Sequence, residues 1–282
     1  METKLLDGRA LSSRLQEEIS TELASMTRVP RLSVILVDGS EASRIYVRNK
    51  LKKAAAVGIQ TQVHDLSPTI STEVLVDFIH DLNKDDMVDG ILVQMPLPKH
   101  IDTNAVIESI DPDKDVDGLT SVNLGHLMAN RPNLIPCTPL GCMALIHQAK
   151  KDLTGLNAVV IGRSRLVGRP MAQLLLSENC TVTTAHSKTR NLAAICRTAD
   201  VLVSATGQAG LITDIYMKPG AIVVDVGISK SEDGHITGDV NFDRAKGIAG
   251  WLTPVPGGVG PMTITMLLMN MLQIMRKKTG RF

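Results

Sequence analysis

The chain has 282 residues, 44% of them apolar and 21% charged, with a formal net charge of +1. That length allows two domains with their own cores, and the near-neutral charge argues against bulk binding to nucleic acid or acidic surfaces. No run of eighteen uninterrupted apolar residues occurs, so no membrane-spanning helix is expected. The first twenty residues lack the apolar core of a secretion signal, and a cytoplasmic protein is expected. The four cysteines, Cys137, Cys142, Cys180 and Cys196, match neither a zinc ribbon nor a CxxC pair. They read as reduced, buried thiols, and no metal is expected. Aromatic residues make up only 2%, so the core must be aliphatic.

From Pro30 the chain alternates. "RLSVILV" is a buried strand bounded by Asp38-Gly39. "SEASRIYVRNKLKKAAAVG" is helical, with Ser40 as N-cap and Gly58 as its stop. "IQTQVHDL" is a strand, "STEVLVDFIHDLNKD" a helix capped by its serine, "DGILVQMPLP" a strand ended by prolines, and "DTNAVIESI" a helix. The second half repeats this order in "NAVVIG", "RPMAQLLLSE", "TVTTA", "NLAAICRTA", "DVLVSAT" and "AIVVDVG", and closes on the helix "PMTITMLLMNMLQIMRKK". Alternating strands and helices predict an α/β fold: two domains, each an open, mostly parallel sheet with flanking helices. The joint is expected within 119–140, where "NRPNLIPCTPLG" carries three prolines.

In the second half, "VVIGRSRLVGRPMA" sets Gly162 and Gly168 between a strand and a helix. Free N–H groups and the positive end of the helix there suit a phosphate. Arg163 and Ser164 lie in the same loop. The next strand ends in "TTAHSKTR", with His186, Ser187, Lys188 and Arg190 but no acid. A ribose 2′-phosphate wants donors and positive charge, so this pattern favours NADP over NAD.

Reactive candidates lie in the first half. Tyr46 and Lys50 share a helix face, one turn apart, with Ser43 beside them. Gln94 stands at the C-terminal end of a strand, the edge where ligands of open α/β sheets collect. In "DPDKDVDG", Asp113, Asp115, Asp117 and Gly118 match half a calcium loop, but Leu124 stands where the bidentate Glu belongs. The segment reads as a turn that directs one or two carboxylates into a site. "TPVPGGVGPMT" (253–263) combines stiff prolines with bare glycines, as the wall of a ligand cleft would.

Four stretches together, "YVRNK", "VQMPLP", "KDVDGLTSVNLGHL" and "TPVPGGVGPMT", with "GRSRLVGRP" among them, resemble the bifunctional methylenetetrahydrofolate dehydrogenase/methenyltetrahydrofolate cyclohydrolase family over essentially the whole chain. Glu41 and Met95 stand where that family usually has proline and leucine. The resemblance implies a folate-binding catalytic domain at 1–120 and a Rossmann-like NADP domain at 121–263, with a cleft between them. It further implies a closing helix, 264–282, returning to the first domain, and a homodimer formed through the cofactor domain. Lys50, Gln94, Tyr46 and Asp117 are implied as catalytic residues: Lys50 as the central amine, Gln94 bonded to it, Tyr46 stacked on the folate and Asp117 accepting from the pterin N–H edge. Val93, Met95, Pro256, Gly257, Gly258, Val259, Gly260 and Pro261 would line the folate. Gly162, Arg163, Ser164, Gly168, His186 and Ser187 would hold the cofactor, with Ile228 at its nicotinamide end. Three other readings remain: a dehydrogenase of amino or hydroxy acids, an NADP dehydrogenase without cyclohydrolase activity, and a non-catalytic folate or nucleotide binder. The Tyr46/Lys50 pair and the cleft loop argue against the first, and the presence of Lys50 and Gln94 against the other two.

Overall fold

A computed structural model of the chain describes residues 2–37, 41–230 and 234–280. The strand boundary expected at Asp38-Gly39 and the cap expected at Ser40 lie outside the described residues, as does the side chain of Glu41. The strands are β1 (Lys4–Leu5), β2 (Arg31–Leu36), β3 (Gln60–Asp65), β4 (Gly90–Val93), β5 (Asn157–Ile161), β6 (Thr181–Ala185), β7 (Val201–Ser204), β8 (Ile222–Asp225), β9 (Ser229–Lys230), β10 (Ile236–Thr237) and β11 (Trp251–Leu252). The helices are α1 (Gly8–Ala24), α2 (Glu41–Ala56), α3 (Thr72–Lys84), α4 (Thr103–Glu108), α5 (Ser121–Met128), α6 (Cys137–Ala149), α7 (Gly168–Ser177), α8 (Leu192–Cys196), α9 (Phe242–Ala245) and α10 (Val259–Thr279). The chain divides into two compact units, one of Met1–Ser13 with Pro136–Met266, the other of Arg14–Ile135 with Leu267–Phe282.

The unit built on 14–135 holds a parallel sheet of order β3-β2-β4. The central strand β2 is buried along nearly its whole length, which is why it reads as a continuous apolar run. Helix α3 places Leu75, Ile79 and Leu82 on one stripe, and with Val106 and Ile110 they cover Ile35, Ile91 and Val93. Ser71 caps α3, accepting from Val74 N–H, as its sequence suggests. Gly58 follows α2 at φ 90°, a backbone setting in which glycine avoids a Cβ penalty. The later turns of α10 belong to this unit. Asn270 donates to the carbonyls of Val116 (2.8 Å) and Ile135 (2.9 Å), and Arg276 forks onto Glu22 with two 2.6 Å bonds.

The other unit holds a six-stranded sheet of order β1-β11-β8-β7-β5-β6 in which every pairing is parallel. Strands β7 and β8 are buried throughout, and Val159, Ile161, Leu202 and Val223 form its aliphatic core with Ile212 and Leu252. The short ribbon β9–β10 is antiparallel. Both sheets and their helices agree with the α/β class read from the sequence. The proline-rich 119–140 stretch is not bare linker, since it contains α5 and the start of α6, whose first turn admits Pro139. The last helix begins at Val259, inside the Pro-Gly loop and two residues ahead of its expected start. All four cysteines are buried and in no disulfide, and burial pushes the Cys196 thiol up to about 11.

Lys114 is 7% exposed, and its ammonium donates to the carbonyls of Leu82 (3.1 Å), Asn83 (2.6 Å) and Asp85 (2.8 Å) at the C-terminal end of α3. Burial holds its pKa below the usual lysine value. Lys114→Met removes the cap and leaves those carbonyls without that partner. We expect a loss of about 1–3 kcal/mol in unfolding free energy, measured by urea denaturation. A midpoint unchanged from wild type would refute this role.

Candidate active site

In the 14–135 unit, helix geometry sets Tyr46 and Lys50 one turn apart on α2. Gln94 directly follows β4, and its N–H donates to the carbonyl of Ile35 (2.9 Å), which fixes it at the C-terminal end of the parallel sheet. Lys50 is 7% exposed; its Nζ donates to Gln94 Oε1 (3.1 Å) and stands 4.7 Å from the centroid of the Tyr46 ring. Gln94 Nε2 donates to the carbonyl of Met95 (2.5 Å), so its amide oxygen faces the lysine. The cation over the ring adds on the order of 1 kcal/mol. Lys114 engages three carbonyls, whereas Lys50 has one hydrogen-bond acceptor among the described residues. An ammonium has three donors. The Lys50 amine therefore keeps donor capacity for a bound molecule, and the Lys114 amine does not.

The aspartates of "DPDKDVDG" separate by partner. Asp115 is 1% exposed and accepts from Thr120 N–H (2.8 Å) and Asn123 Nδ2 (3.0 Å), so it holds its own loop together. Asp113 is exposed beside Asn133 Nδ2 (3.2 Å). Asp117 is half-buried on the turn before Gly118. Among the described residues, no group of three or more His, Cys, Asp or Glu side chains could hold a metal ion. Val93 packs in the hydrophobic core beside Ile91. The structure thus brings Lys50, Tyr46 and Gln94 into one contact set, adds Met95 through its carbonyl, and sets Asp117 on a separate turn.

In the 136–266 unit, a cleft of about 240 Å³ is lined by Gly162, Arg163, Ser164, His186, Ser187 and Thr206, among others. Gly162 has φ 129°, and a Cβ there would lie 2.5 Å from the carbonyl oxygen of Ala205. A Cβ on Gly168 would lie 2.1 Å from the carbonyl of Gly162, so the loop closes only with glycine at both ends. Ser164 Oγ accepts from the N–H of Val167 (3.1 Å) and of Gly168 (3.4 Å), at the start of α7. His186 Nδ1 accepts from Lys188 N–H (3.2 Å), which leaves Nε2 as the protonated ring nitrogen of the neutral imidazole. The cleft has donors and a guanidinium but no carboxylate among its lining residues, so the residues present fit a phosphorylated nucleotide.

A second cleft in the same unit, of about 170 Å³, is lined by Arg9, Gly227, Ile228 and the whole Pro254–Pro261 loop. Ile228 is 67% exposed there. The loop packs main chain against main chain: a Cβ on Gly8 would stand 1.8 Å from the carbonyl oxygen of Gly258. Sequence reading missed Arg9, Thr206 and the buried Asp225, which also lines this cleft. Only Asp225 carried a visible signal, an acid at the end of the apolar run "AIVV".

Residues 6–117 match the family described as tetrahydrofolate dehydrogenase/cyclohydrolase, catalytic domain, and residues 136–279 match the same family's NAD(P)-binding domain. A protein named bifunctional protein FolD from Streptococcus equi subsp. zooepidemicus is 48% identical over 282 residues, covering 99% of each chain. The protein of the same name from Acetivibrio thermocellus is 49% identical over 273 residues and 96% of each chain. Among solved structures, the bifunctional FolD methylenetetrahydrofolate dehydrogenase/cyclohydrolase of Campylobacter jejuni superposes with a TM-score of 0.95 at 44% identity, covering 98% of this chain and 99% of that one. The Trypanosoma brucei FolD enzyme, solved with NADP cofactor and an inhibitor, gives 0.93 at 38% identity and 99% of each chain. Two matched domains and full-length similarity close to half identity place this chain in the tetrahydrofolate dehydrogenase/cyclohydrolase family, with both its catalytic and its NAD(P)-binding domain.

Proposed function

We propose that this chain oxidises 5,10-methylenetetrahydrofolate to 5,10-methenyltetrahydrofolate with NADP, and then hydrolyses the product to 10-formyltetrahydrofolate, with Lys50 as the proton-handling amine of the second step. The observation that carries this reading is a buried lysine held by one glutamine oxygen and one tyrosine ring at the C-terminal edge of a parallel sheet. The domain of residues 1–120 and the helix 264–282 take the folate-binding part, and 121–263 the cofactor part. We further infer that the enzyme acts in the cytoplasm as a homodimer through the cofactor unit, whose strand β6 is paired on one side only. Among the described residues, no helix is long and apolar enough to cross a membrane.

NADP supplies the hydride acceptor for the first step. Gly162, Arg163, Ser164, His186 and Ser187 would hold its phosphates and ribose, Gly168 would keep their loop tight, and Ile228 would meet its nicotinamide end. The folate nitrogen lone pairs expel the hydride, so alignment is the main demand on the protein. Tyr46 presents a ring face to the pterin, Asp117 accepts from its N–H edge, and Met95 adds to the lining. The methenyl product is a cation whose carbon is attacked by water. Water adds to that carbon and loses a proton, and the C–N5 bond then breaks as N5 gains one. Lys50, with donor capacity left over, is placed to move these protons, and Gln94 keeps its amine oriented.

Three outcomes test this reading. An assay from 5,10-methylenetetrahydrofolate, following methenyl and reduced-nicotinamide absorbance separately, should show turnover with NADP exceeding that with NAD, because no carboxylate follows β6. No reduction of either cofactor would overturn the assignment. Lys50→Met should lower cyclohydrolase turnover by at least about 100-fold while sparing part of the hydride transfer; equal loss of both, with folate still bound, would remove the division of labour. Asp117→Ala should raise the folate Kd about 10- to 100-fold and leave the NADP Kd in place, as expected for loss of a charge-assisted hydrogen bond. An unchanged folate Kd, read by calorimetry, would take Asp117 out of the site.

A further inference from the structure

Two buried acids of the 136–266 unit have no part in the chemistry above. Asp225 ends β8 and is 2% exposed, and Asp239, just past β10, is fully buried. A carboxylate out of water must be hydrogen-bonded. Both oxygens of Asp225 are. Oδ1 accepts from the N–H of Gly227 and of Asp239, both at 2.9 Å, and Oδ2 accepts from Val240 N–H at 2.8 Å. Its own N–H donates to Thr253 Oγ1 (2.7 Å), at the start of the Pro-Gly loop. Asp239 Oδ2 accepts from the Ser204 hydroxyl (3.1 Å) and Thr206 N–H (2.6 Å), while its Oδ1 has no partner among the described residues. Burial pushes the Asp225 carboxyl up to about 6 against the pull of its N–H donors, with the neighbouring Asp239 adding to the rise.

The partners of these two acids belong to the segments that leave the C-terminal ends of β7, β8 and β11 and to the return after β10. Thr206 lines the arginine–serine cleft, Gly227 lines the other within Asp225–Ile228, and Thr253 directly precedes the Pro254–Pro261 segment that also lines it. The fit allows little slack: a Cβ on Gly227 would lie 2.2 Å from Asp239 Oδ1, and one on Gly238 1.9 Å from Asp225 Oδ2.

We propose that Asp225, with Asp239 behind it, is a positioning residue for hydride transfer, its carboxylate locking the Val226–Ile228 segment against the return after β10 so that the nicotinamide end of the cofactor is presented in one orientation. The inference rests on the reading that this unit holds NADP with Ile228 at its nicotinamide end. Asp225 acts through loop backbone and touches no reacting atom. The two acids also differ in what they need. Asp225 requires two acceptor oxygens, so Asp225→Asn must turn an NH₂ toward an N–H. Asp239 uses one oxygen, so Asp239→Asn keeps that acceptor and sets its NH₂ where no partner is lost.

The experiment compares these two variants with wild type as full chains. It measures dehydrogenase kcat with NADP, NADP Kd by calorimetry, cyclohydrolase turnover started from 5,10-methenyltetrahydrofolate without nucleotide, and Tm. Asp225→Asn should lower dehydrogenase kcat about 10- to 100-fold, raise the NADP Kd about fivefold, and hold cyclohydrolase turnover within about threefold. Asp239→Asn should cost dehydrogenase kcat under about fivefold. Parallel loss of both activities in Asp225→Asn, or equal damage from the two variants, would overturn the proposal. Should Asp225→Asn fail to fold, Gly227→Ala presses the same segment from the Asp239 side, and an unchanged ratio of the two activities would overturn it equally. A wild-type chain with neither activity would instead sink the folate reading. The NADP Kd then decides: a weaker Kd in Asp225→Asn at unchanged Tm supports positioning, and an unchanged Kd refutes it.

Discussion

A charged group withdrawn from water has to be met by hydrogen-bonding partners, and the way this chain meets that demand organises both of its units. Asp89, fully buried, gathers Lys278, Arg28 and the N–H of Arg31. Lys114 takes three carbonyls at the end of α3, and Asp225 takes three N–H groups at the end of β8. Each of these has three hydrogen-bonding partners and acts as a rivet between separate segments of the chain. Lys50 is buried to the same degree as Lys114 yet engages one amide oxygen and one aromatic face. Partner count, more than burial, separates the lysine suited to chemistry from the lysine suited to architecture.

The same contrast explains why the parallel sheets matter. In a parallel sheet the strands all end on one edge, and the connections leaving that edge carry polar main-chain groups with no ladder to join. Here those groups are met by nearby side chains: the Gln94 amide on the carbonyl of Met95 after β4, Asp239 on Thr206 N–H after β7, Ser164 at the start of α7. Residues that serve the scaffold and residues proposed to serve substrate therefore lie a few positions apart, as Asp115 and Asp117 do.

Much of this was legible in the sequence where the physical signal was long. The buried strands β2, β5, β7 and β8 are continuous apolar runs, and α3 carries a stripe with a capping serine. The helix face of Lys50 and the strand end of Gln94 were read separately, and their contact came only as what the family resemblance implies. What escaped was short or depended on tertiary pairing. Strands β1 and β11 are two residues each and exist because they pair with one another and with β8. Helix α1 is dominated by polar residues over Gly8–Ala24 and gave a weak pattern. Prolines at 132, 136 and 139 mimic a linker, although Pro139 sits where a first helical turn accepts it. Asp225 and Asp239 were invisible as a pair because they lie fourteen positions apart and a main-chain donor joins them.

One unit takes residues from both ends of its partner's span: it opens at Arg14, breaks off at Ile135, and resumes only at Leu267. Ribosomal synthesis delivers the polypeptide from its amino end, so about half the message is still to be translated when the first stretch of this unit has emerged. Until the terminal helix is released, Val116 and Ile135 lack Asn270, Glu22 lacks Arg276, and Asp89 lacks Lys278. The nascent sheet of Arg31–Val93 must wait, incompletely covered, while the intervening unit has already been made.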